Sequence, residues 1–444
     1  MDIYQQFESS LTQHLNAHNK VVLGLSGGMD SRVLLHLLGR FQSDYPERNI
    51  IAVHIHHGLS SNADQWQTQC QRWSQKEGIA FDYRLVEVKS KAGESLEQVA
   101  RHARYQALND YIEPGDVLVT GQHLDDQTET FLLALKRGSG PKGLSSMAQS
   151  MPFGLGYILR PLLAVSRRDI ERYAISEKLE WVEDESNQDT RFDRNFLRQE
   201  VIPSIKQRWP SFTSSVARSA RLCAAQEQLL TELLQPELTK LCDELGGLSI
   251  VELAAYSQLK RDYLIRLWLE QHTQWLPSEI QLNKLWFEVA CARDDANPEL
   301  QLAQGSVRRF KQRLFWVSNH HDVSQWQGAL TLDACLALPD ALGTLSLSSL
   351  DKPISSVLSI SRQNLPHSLQ VIFEPEGLSA HPYGRVGSRK MKKLYQELGV
   401  PSWQRRRIPI VMHQDKVVAV AGLFVDKDYY GEDYQLLWDK PVAT

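Results

Sequence analysis

Residues 21–35 read VVLGLSGGMDSRVLL. A buried-strand run, Val21 to Leu25, stops at Ser26, Gly27 and Gly28, and a helical pattern starts within three residues. Met29, Asp30 and Ser31 open that helix, and Val33, Leu34, Leu37 and Leu38 form its apolar stripe. Two glycines let the backbone approach a ligand closely, and the first-turn N–H groups of a helix have no intrahelical partners. The helix dipole adds partial positive charge there, so the loop suits phosphate, with Ser26 and Ser31 as hydroxyl donors. Asp30 alone would repel phosphate; its presence makes sense with Mg²⁺ between the two. Taken by itself, the string also fits a tight turn with Ser or Asp as the helix N-cap. It is not a Walker loop, because no Gly-Lys-Ser/Thr follows, and its glycines are wrongly spaced for dinucleotide binding. That spacing does occur at Gly138, Gly140 and Gly143, but after a helical stretch rather than a strand.

Outward from this loop, VVLGL (21–25), IIAVHI (50–55), FDYRLVEV (81–88) and DVLVTG (116–121) read as strands. Helical patterns at about 30–41, 62–78, 95–112 and 125–137 follow them in turn. That alternation predicts an α/β domain with a doubly wound parallel sheet, which binds ligands at the carboxyl ends of strands where the order reverses. Residues 217–290 are Leu-, Ala- and Gln-rich with helical spacing, and 299–317 look like paired strands. The remainder, punctuated by Pro and Gly, includes strand-like KVVAVAGLFV (416–425). We expect a catalytic domain at 1–215, a mainly helical middle domain at 216–325 and a small α+β domain at 326–444.

At 444 residues the chain is too long for one core, and 42% hydrophobic with 23% charged residues describes an ordinary globular protein. No apolar run reaches membrane-spanning length, and the opening MDIYQQFESSLTQHLNAHNK lacks the features of a secretion signal, so a cytoplasmic location is expected. Cys70, Cys223, Cys242, Cys291 and Cys335 stand singly, which argues against a disulfide framework, a zinc site and cysteine-pair sulfur transfer. The net charge of −4 gives no global hint of nucleic acid, but averages hide patches.

Four stretches carry candidate chemistry. In VHIHHGLS, His54 and His56 share a strand face and His57 faces away. A metal pair there would want a third ligand, and a nucleotide-contacting turn at His57 is the better reading. SLEQVARHARYQAL opens with a capping box, Ser95 and Gln98; Arg101 and Arg104 share a face, and Glu97 is placed to pair with Arg101. An exposed salt-bridged face competes with a functional reading there. VTGQHLDDQTETF brings His123, Asp125 and Asp126 to the sheet's carboxyl edge, with Glu129 one turn after Asp126. Acidic residues often decorate a helix N-terminus. Three carboxylates and a histidine facing the same crevice as Asp30 favour Mg²⁺ coordination and acid–base work instead. In DESNQDTRFDRNFLRQ, the spacing puts Arg191, Arg194, Asn195 and Arg198 on one helical face, suited to phosphate or simply solvated.

The Ser26–Ser31 loop after the first strand resembles the pyrophosphate loop of the N-type ATP pyrophosphatases, which cleave ATP between the α- and β-phosphates and adenylate an oxygen. VHIHHGL, ARHARY, HLDDQTET, RGSG with Gly143-Leu144, RPLL (160–163) and DESNQDTRFDRNFLR occur in the order of one branch, the tRNA(Ile)-lysidine synthase family. GRVGSRKMKKLYQELGVPSWQRRRIP (384–409) also resembles the C-terminal domain of that family's longer members. Gln122 departs from the pattern, which often has a second histidine there, so no catalytic role rests on a His pair.

The resemblance implies ATP-dependent joining of free L-lysine to the wobble cytidine of a CAU-anticodon tRNA(Ile). It places Ser26, Gly27, Gly28, Met29, Asp30, Ser31 and His57 on ATP, and Asp30 and Asp126 on Mg²⁺. Glu129 and His123 would orient groups or handle protons, and Arg101 would handle phosphate charge. Arg191, Arg194 and Arg198 would meet tRNA, as would Arg389, Lys390, Lys392, Lys393, Arg405 and Arg406. Tyr383, Tyr395 and Trp403 are interleaved with those last cations and offer stacking surfaces. Two other readings stand beside this one: a tRNA thiolase, and a non-catalytic RNA-binding protein on the same scaffold.

Overall fold

The structure is a computed structural model that describes residues 2–16, 19–58, 62–88, 96–273, 276–293, 296–349 and 358–440. It forms two compact units, Met1–Glu232 and Leu233–Thr444.

The first unit is built on β1 (Val21–Gly24), β2 (Ile50–His56), β3 (Ala80–Leu85), β4 (Val117–Val119), β5 (Ser150–Phe153) and β6 (Gly156–Leu159). Their order in the sheet is β3-β2-β1-β4-β6-β5, parallel throughout except where β5 runs against β6. Helices α1 (Ile3–Thr12), α2 (Met29–Asp44), α3 (Ala63–Lys76), α4 (Leu96–Asn109) and α5 (Leu124–Lys136) accompany the strands. The two-residue period of β1 divides its side chains between two cores. Val21, Leu23 and Leu25 join Phe7, Leu11, Val33, Leu34 and Leu37, whereas Val22 joins Val53, Ile55, Leu108 and Ile158. β4 divides likewise, with Val117 and Val119 in the first core and Leu118 in the second. Each such side chain contributes on the order of 2 kcal/mol of burial. β1 is therefore an unbroken apolar run because it is covered on both faces.

The order turns back between β1 and β4: β1 is followed in space by β2 on one side and β4 on the other. The loops leaving those two strands thus open onto one crevice. The expected strands and helices of this domain all appear, with ends shifted by a few residues.

In the second unit, the helices Gln258–Glu270 and Glu279–Lys284 bury Leu264, Ile265, Trp268 and Leu282 with Leu253, Val307 and Leu314. The expected strand pair is a four-stranded sheet of Leu248–Ser249, Arg313–Ser318, Gly305–Phe310 and Glu299–Leu302. Beyond it, among the described residues, lie a five-stranded, a four-stranded and a two-stranded sheet and the α-helix Met391–Glu397. The single strand expected at 416–425 is two, Lys416–Val420 and Phe424–Val425, because Gly422 turns the chain at φ 72°. Helix Phe212–Leu241 runs through residue 215. Among the described residues no helix is long and apolar enough to cross a membrane.

Candidate nucleotide and metal site

The Ser26–Ser31 loop is bent back on itself. Gly27 has φ 90°, and a Cβ there would lie 2.8 Å from Val182, whose N–H donates to the Gly27 carbonyl at 3.0 Å. Only glycine serves at this point. Ser31 Oγ donates to Gly28 O at 2.9 Å and lies 3.0 Å from Ser26 Oγ, so the two hydroxyls are placed as a pair. Asp30 follows on the first turn of α2, and its Oδ1 is sealed from solvent without a hydrogen-bond partner. Burial raises the pKa of this carboxyl; the imidazole of His123 opposes the shift.

The opposite wall comes from β4 and α5. His123 is the N-cap of α5: the Asp126 N–H donates to its Nδ1 at 3.3 Å, and the His123 N–H donates to Asp126 Oδ2 at 3.0 Å. With Nδ1 accepting, the ring proton of neutral imidazole is on Nε2. That nitrogen lies 3.7 Å from Asp30 Oδ1 and 3.5 Å from Asp126 Oδ2. Two carboxylates from the first turns of different helices therefore converge on one ring nitrogen.

Gly121 makes the approach possible, a residue the sequence reading missed. A Cβ there would stand 3.2 Å from Asp30 Cβ and 3.3 Å from Ser31 N. The signal was a glycine two residues after a buried strand. Gln122 is hydrogen-bonded from Thr120 at 2.6 Å and takes no part in the carboxylate cluster.

Glu129, almost wholly buried, is engaged by arginines. Arg198 donates to its two oxygens at 2.6 and 3.0 Å and to Asp126 Oδ1 at 3.1 Å, and Arg194 reaches it at 3.4 Å. Burial raises the Glu129 carboxyl pKa, and Arg198 counters that shift. A carboxylate held in this way positions its neighbours rather than shuttling protons.

Three expectations need correction. Asp125 does not join the cluster: its oxygens accept from Arg167 N–H at 2.8 Å and Lys206 Nζ at 3.1 Å, tying α5 to neighbouring segments. Arg191 precedes the helical turn, is exposed and chelates Asp189, while Asn195 donates to Asp189 O. Only Arg194 and Arg198 share the expected face, because the chain runs as a short helix (Asp193–Phe196) and then a wider π turn (Leu197–Val201).

His54 Nδ1 lies 2.8 Å from Leu25 O and His56 Nε2 2.9 Å from Asp64, so neither waits for a metal. His57 Nε2 accepts from Arg104 Nε at 3.2 Å; burial first, and Arg104 second, lower its pKa to about 4. Arg101 is exposed and lies over the Tyr105 ring at 4.9 Å. The Ser95–Gln98 box and the Glu97–Arg101 pair lie outside the described residues and side chains.

In the C-terminal segment, Arg405 donates to Val400 O, Arg406 pairs with Glu374 and Glu376, and Arg407 pairs with Asp340 at 2.7 Å. Lys390, Lys392 and Lys393 are exposed and carry no ion pair among the described residues; Arg389 lies 4.0 Å from Glu397. Two of the three expected stacking aromatics are structural. Tyr395 is wholly buried, and Trp403 packs on Phe310 and Phe315.

A glycine loop between a central parallel strand and a helix, facing carboxylates on the helix that follows the neighbouring strand, defines a PP-loop domain, and the family model of that description matches residues 3–205. Models for the TilS substrate binding domain and the TilS substrate C-terminal domain match 248–315 and 369–439. The relative from Vibrio campbellii named tRNA(Ile)-lysidine synthase is 52% identical over 449 residues, covering 99% of each chain. One of the same name from Vibrio parahaemolyticus is 53% identical over 443 residues, again covering 99% of each. The chain belongs to the tRNA(Ile)-lysidine synthase family. Among solved structures, a U34-tRNA thiolase from Methanococcus maripaludis aligns with TM-score 0.42 and 19% identity over 50% of this chain and 78% of that one.

Proposed function

We propose that this chain is a ligase that uses ATP to join free L-lysine to carbon-2 of the wobble cytidine in a CAU-anticodon tRNA(Ile). The observation that carries the chemistry is the sealed, unpaired Oδ1 of Asp30, close to His123 and on the same side as Asp126. An unpaired buried carboxylate oxygen is costly unless something binds it.

The residues fit Mg²⁺. Among the described residues no group of three or more His, Cys, Asp or Glu could hold a metal ion by itself. Mg²⁺ suits that situation, because it commonly takes one or two protein carboxylates and fills its other positions with phosphate oxygens and water. Asp30 and Asp126 would hold it; when bound, it neutralises charge on the ATP phosphates.

The first step makes a bond from the cytidine carbon-2 oxygen to the α-phosphorus of ATP and breaks the α–β phosphoanhydride. Pyrophosphate leaves into the Ser26–Ser31 loop, whose backbone N–H groups and paired hydroxyls receive it. The lysine amine then attacks carbon-2, loses a proton and displaces AMP, which carries the former base oxygen away. Adenylation is needed because an unactivated pyrimidine oxygen is a hopeless leaving group. Arg198 and Arg194 hold Glu129 and Asp126 in register, and His57 lies at the carboxyl end of β2 to meet the nucleotide. Residues 1–215 would perform the chemistry, with 216–325 and 326–444 gripping tRNA.

The test is pyrophosphate release with CAU-anticodon tRNA(Ile). Release should require that tRNA, stop near one equivalent without lysine, and turn over continuously with it. Release independent of tRNA, or sulfur incorporation in place of lysine, would overturn the reading.

A further inference from the structure

Tyr383 stands on the loop joining the strands Ser379–Ala380 and Arg389–Lys390. Its ring stacks face to face on Tyr430, with centroids 3.4 Å apart and planes 6° from parallel. Even so, Tyr383 keeps half of its surface exposed, unlike Tyr395 and Trp403 of the same segment. One ring face is thus covered and held flat by Tyr430. Val386, at the tip of the loop, is 98% exposed.

The loop is rigid from within. His381 Nε2 lies 2.9 Å from Arg385 O and 3.1 Å from Gly387 N, and Arg385 pairs with Glu397 on the following helix. Ser388 Oγ donates to Ala380 O at 3.3 Å, and the Tyr383 N–H donates to Val425 O at 2.9 Å. A preorganised aromatic loses little freedom on binding. The exposed cations Arg389, Lys390, Lys392 and Lys393 follow directly along the chain.

We infer that Tyr383 is a stacking platform for one unpaired RNA base, beside a phosphate track formed by Arg389, Lys390, Lys392 and Lys393. Each feature alone is ordinary; together they match what a single strand requires. A π face accepts any base, and adjacent cations accept its backbone. With Tyr430 on one side, the platform takes one base and not an intercalated pair. The inference rests on the reading that the chain acts on tRNA, and it adds that an unpaired segment of the RNA is gripped by residues of the second unit.

The probe is a fluorescent RNA hairpin made blunt or with a short unpaired extension, titrated with the full-length protein across a salt series. The wild type should prefer the extended hairpin. Tyr383→Ala should lose roughly five- to hundred-fold in affinity for it at unchanged salt slope, because stacking releases no counterions. Tyr383→Phe keeps the ring and should bind like the wild type, which separates stacking from a hydroxyl contact. Melting curves confirm that both variants fold. Equal affinity of wild type and Tyr383→Ala for the extended hairpin, or no preference in the wild type, would overturn the platform while leaving the tRNA reading standing. Binding of neither hairpin by the wild type would overturn both.

Discussion

The Asp126 amide donates to the His123 ring while the Asp126 carboxylate accepts from the His123 amide, a reciprocal cap at 3.3 and 3.0 Å. The cap fixes both the helix end and the tautomer, so one residue serves structure and site together. His123→Asn keeps a good capping group but lacks the donor facing Asp30. We expect its melting temperature to stay near wild type and its tRNA-dependent turnover to fall by about a hundredfold or more. His123→Ala should lose about 1 kcal/mol of stability as well. Normal turnover in the Asn variant would confine His123 to capping.

Asp30 sets a trade between stability and activity. Burial raises its folded pKa, so the folded chain holds a proton more tightly than the unfolded one. Stability from this group is present below the unfolded value and is lost as pH rises through the folded value. Asp30→Asn should therefore melt at or above the wild-type temperature near neutral pH, and lose the pH dependence belonging to this group. It should also lose Mg²⁺-dependent pyrophosphate release. A variant that melts lower and still turns over would remove Asp30 from the phosphate site.

Breaking the Arg198–Glu129 pair should cost more than omitting it. Arg198→Gln leaves a buried carboxylate facing only Arg194, a loss on the order of 3 kcal/mol. The double variant Glu129→Gln/Arg198→Gln should recover much of that stability but little activity. Denaturant unfolding of the single and double variants measures the coupling; strict additivity would show that the two residues act independently.

The C-terminal cations should divide into two groups. Replacing Arg389, Lys390, Lys392 and Lys393 with Gln should flatten the slope of log tRNA affinity against log salt by about three units. Replacing Arg405 and Arg406 should change the slope less per charge removed, because Arg405 caps Val400 O and Arg406 already faces Glu374 and Glu376. Equal changes in slope per charge removed for the two sets would erase the distinction.

The cysteines should be dispensable for chemistry. Cys70, the buried one, lies beneath the loop, with Sγ 3.3 Å from where a Gly27 Cβ would stand, and burial holds its thiol pKa up to about 12. Cys70→Ala should cost some stability through the cavity it leaves. Turnover per folded molecule should persist in each single-Cys variant; its loss in a well-folded one would favour sulfur chemistry.

Much of the first unit was readable because each element announces itself locally. The Val21–Leu25 run, the glycines after it and the apolar stripe of α2 need no distant information. What escaped depends on contacts between segments far apart in the chain. Nothing near Asp125 reveals that Lys206 and the Arg167 amide hold it, whereas Asp126 one residue on faces Asp30. Composition cannot tell an exposed cation from one facing a carboxylate, which separates Lys392 from Arg406. Nor does it distinguish exposed Tyr383 from Tyr395, buried on the inner side of the helix Met391–Glu397.

The neighbourhood of β1 and β4 has a kinetic consequence. Asp30 and Asp126 lie far apart in sequence and meet only once the parallel ladder Val21–Leu23 with Val117–Val119 has closed. Such non-local pairing forms slowly, because long stretches of chain must be ordered first. During synthesis the phosphate loop emerges well before its opposing wall, and a nascent chain ending before β4 holds half a site. The site is therefore complete only in a chain whose β1–β4 ladder has formed, whatever strands are already in place around β1.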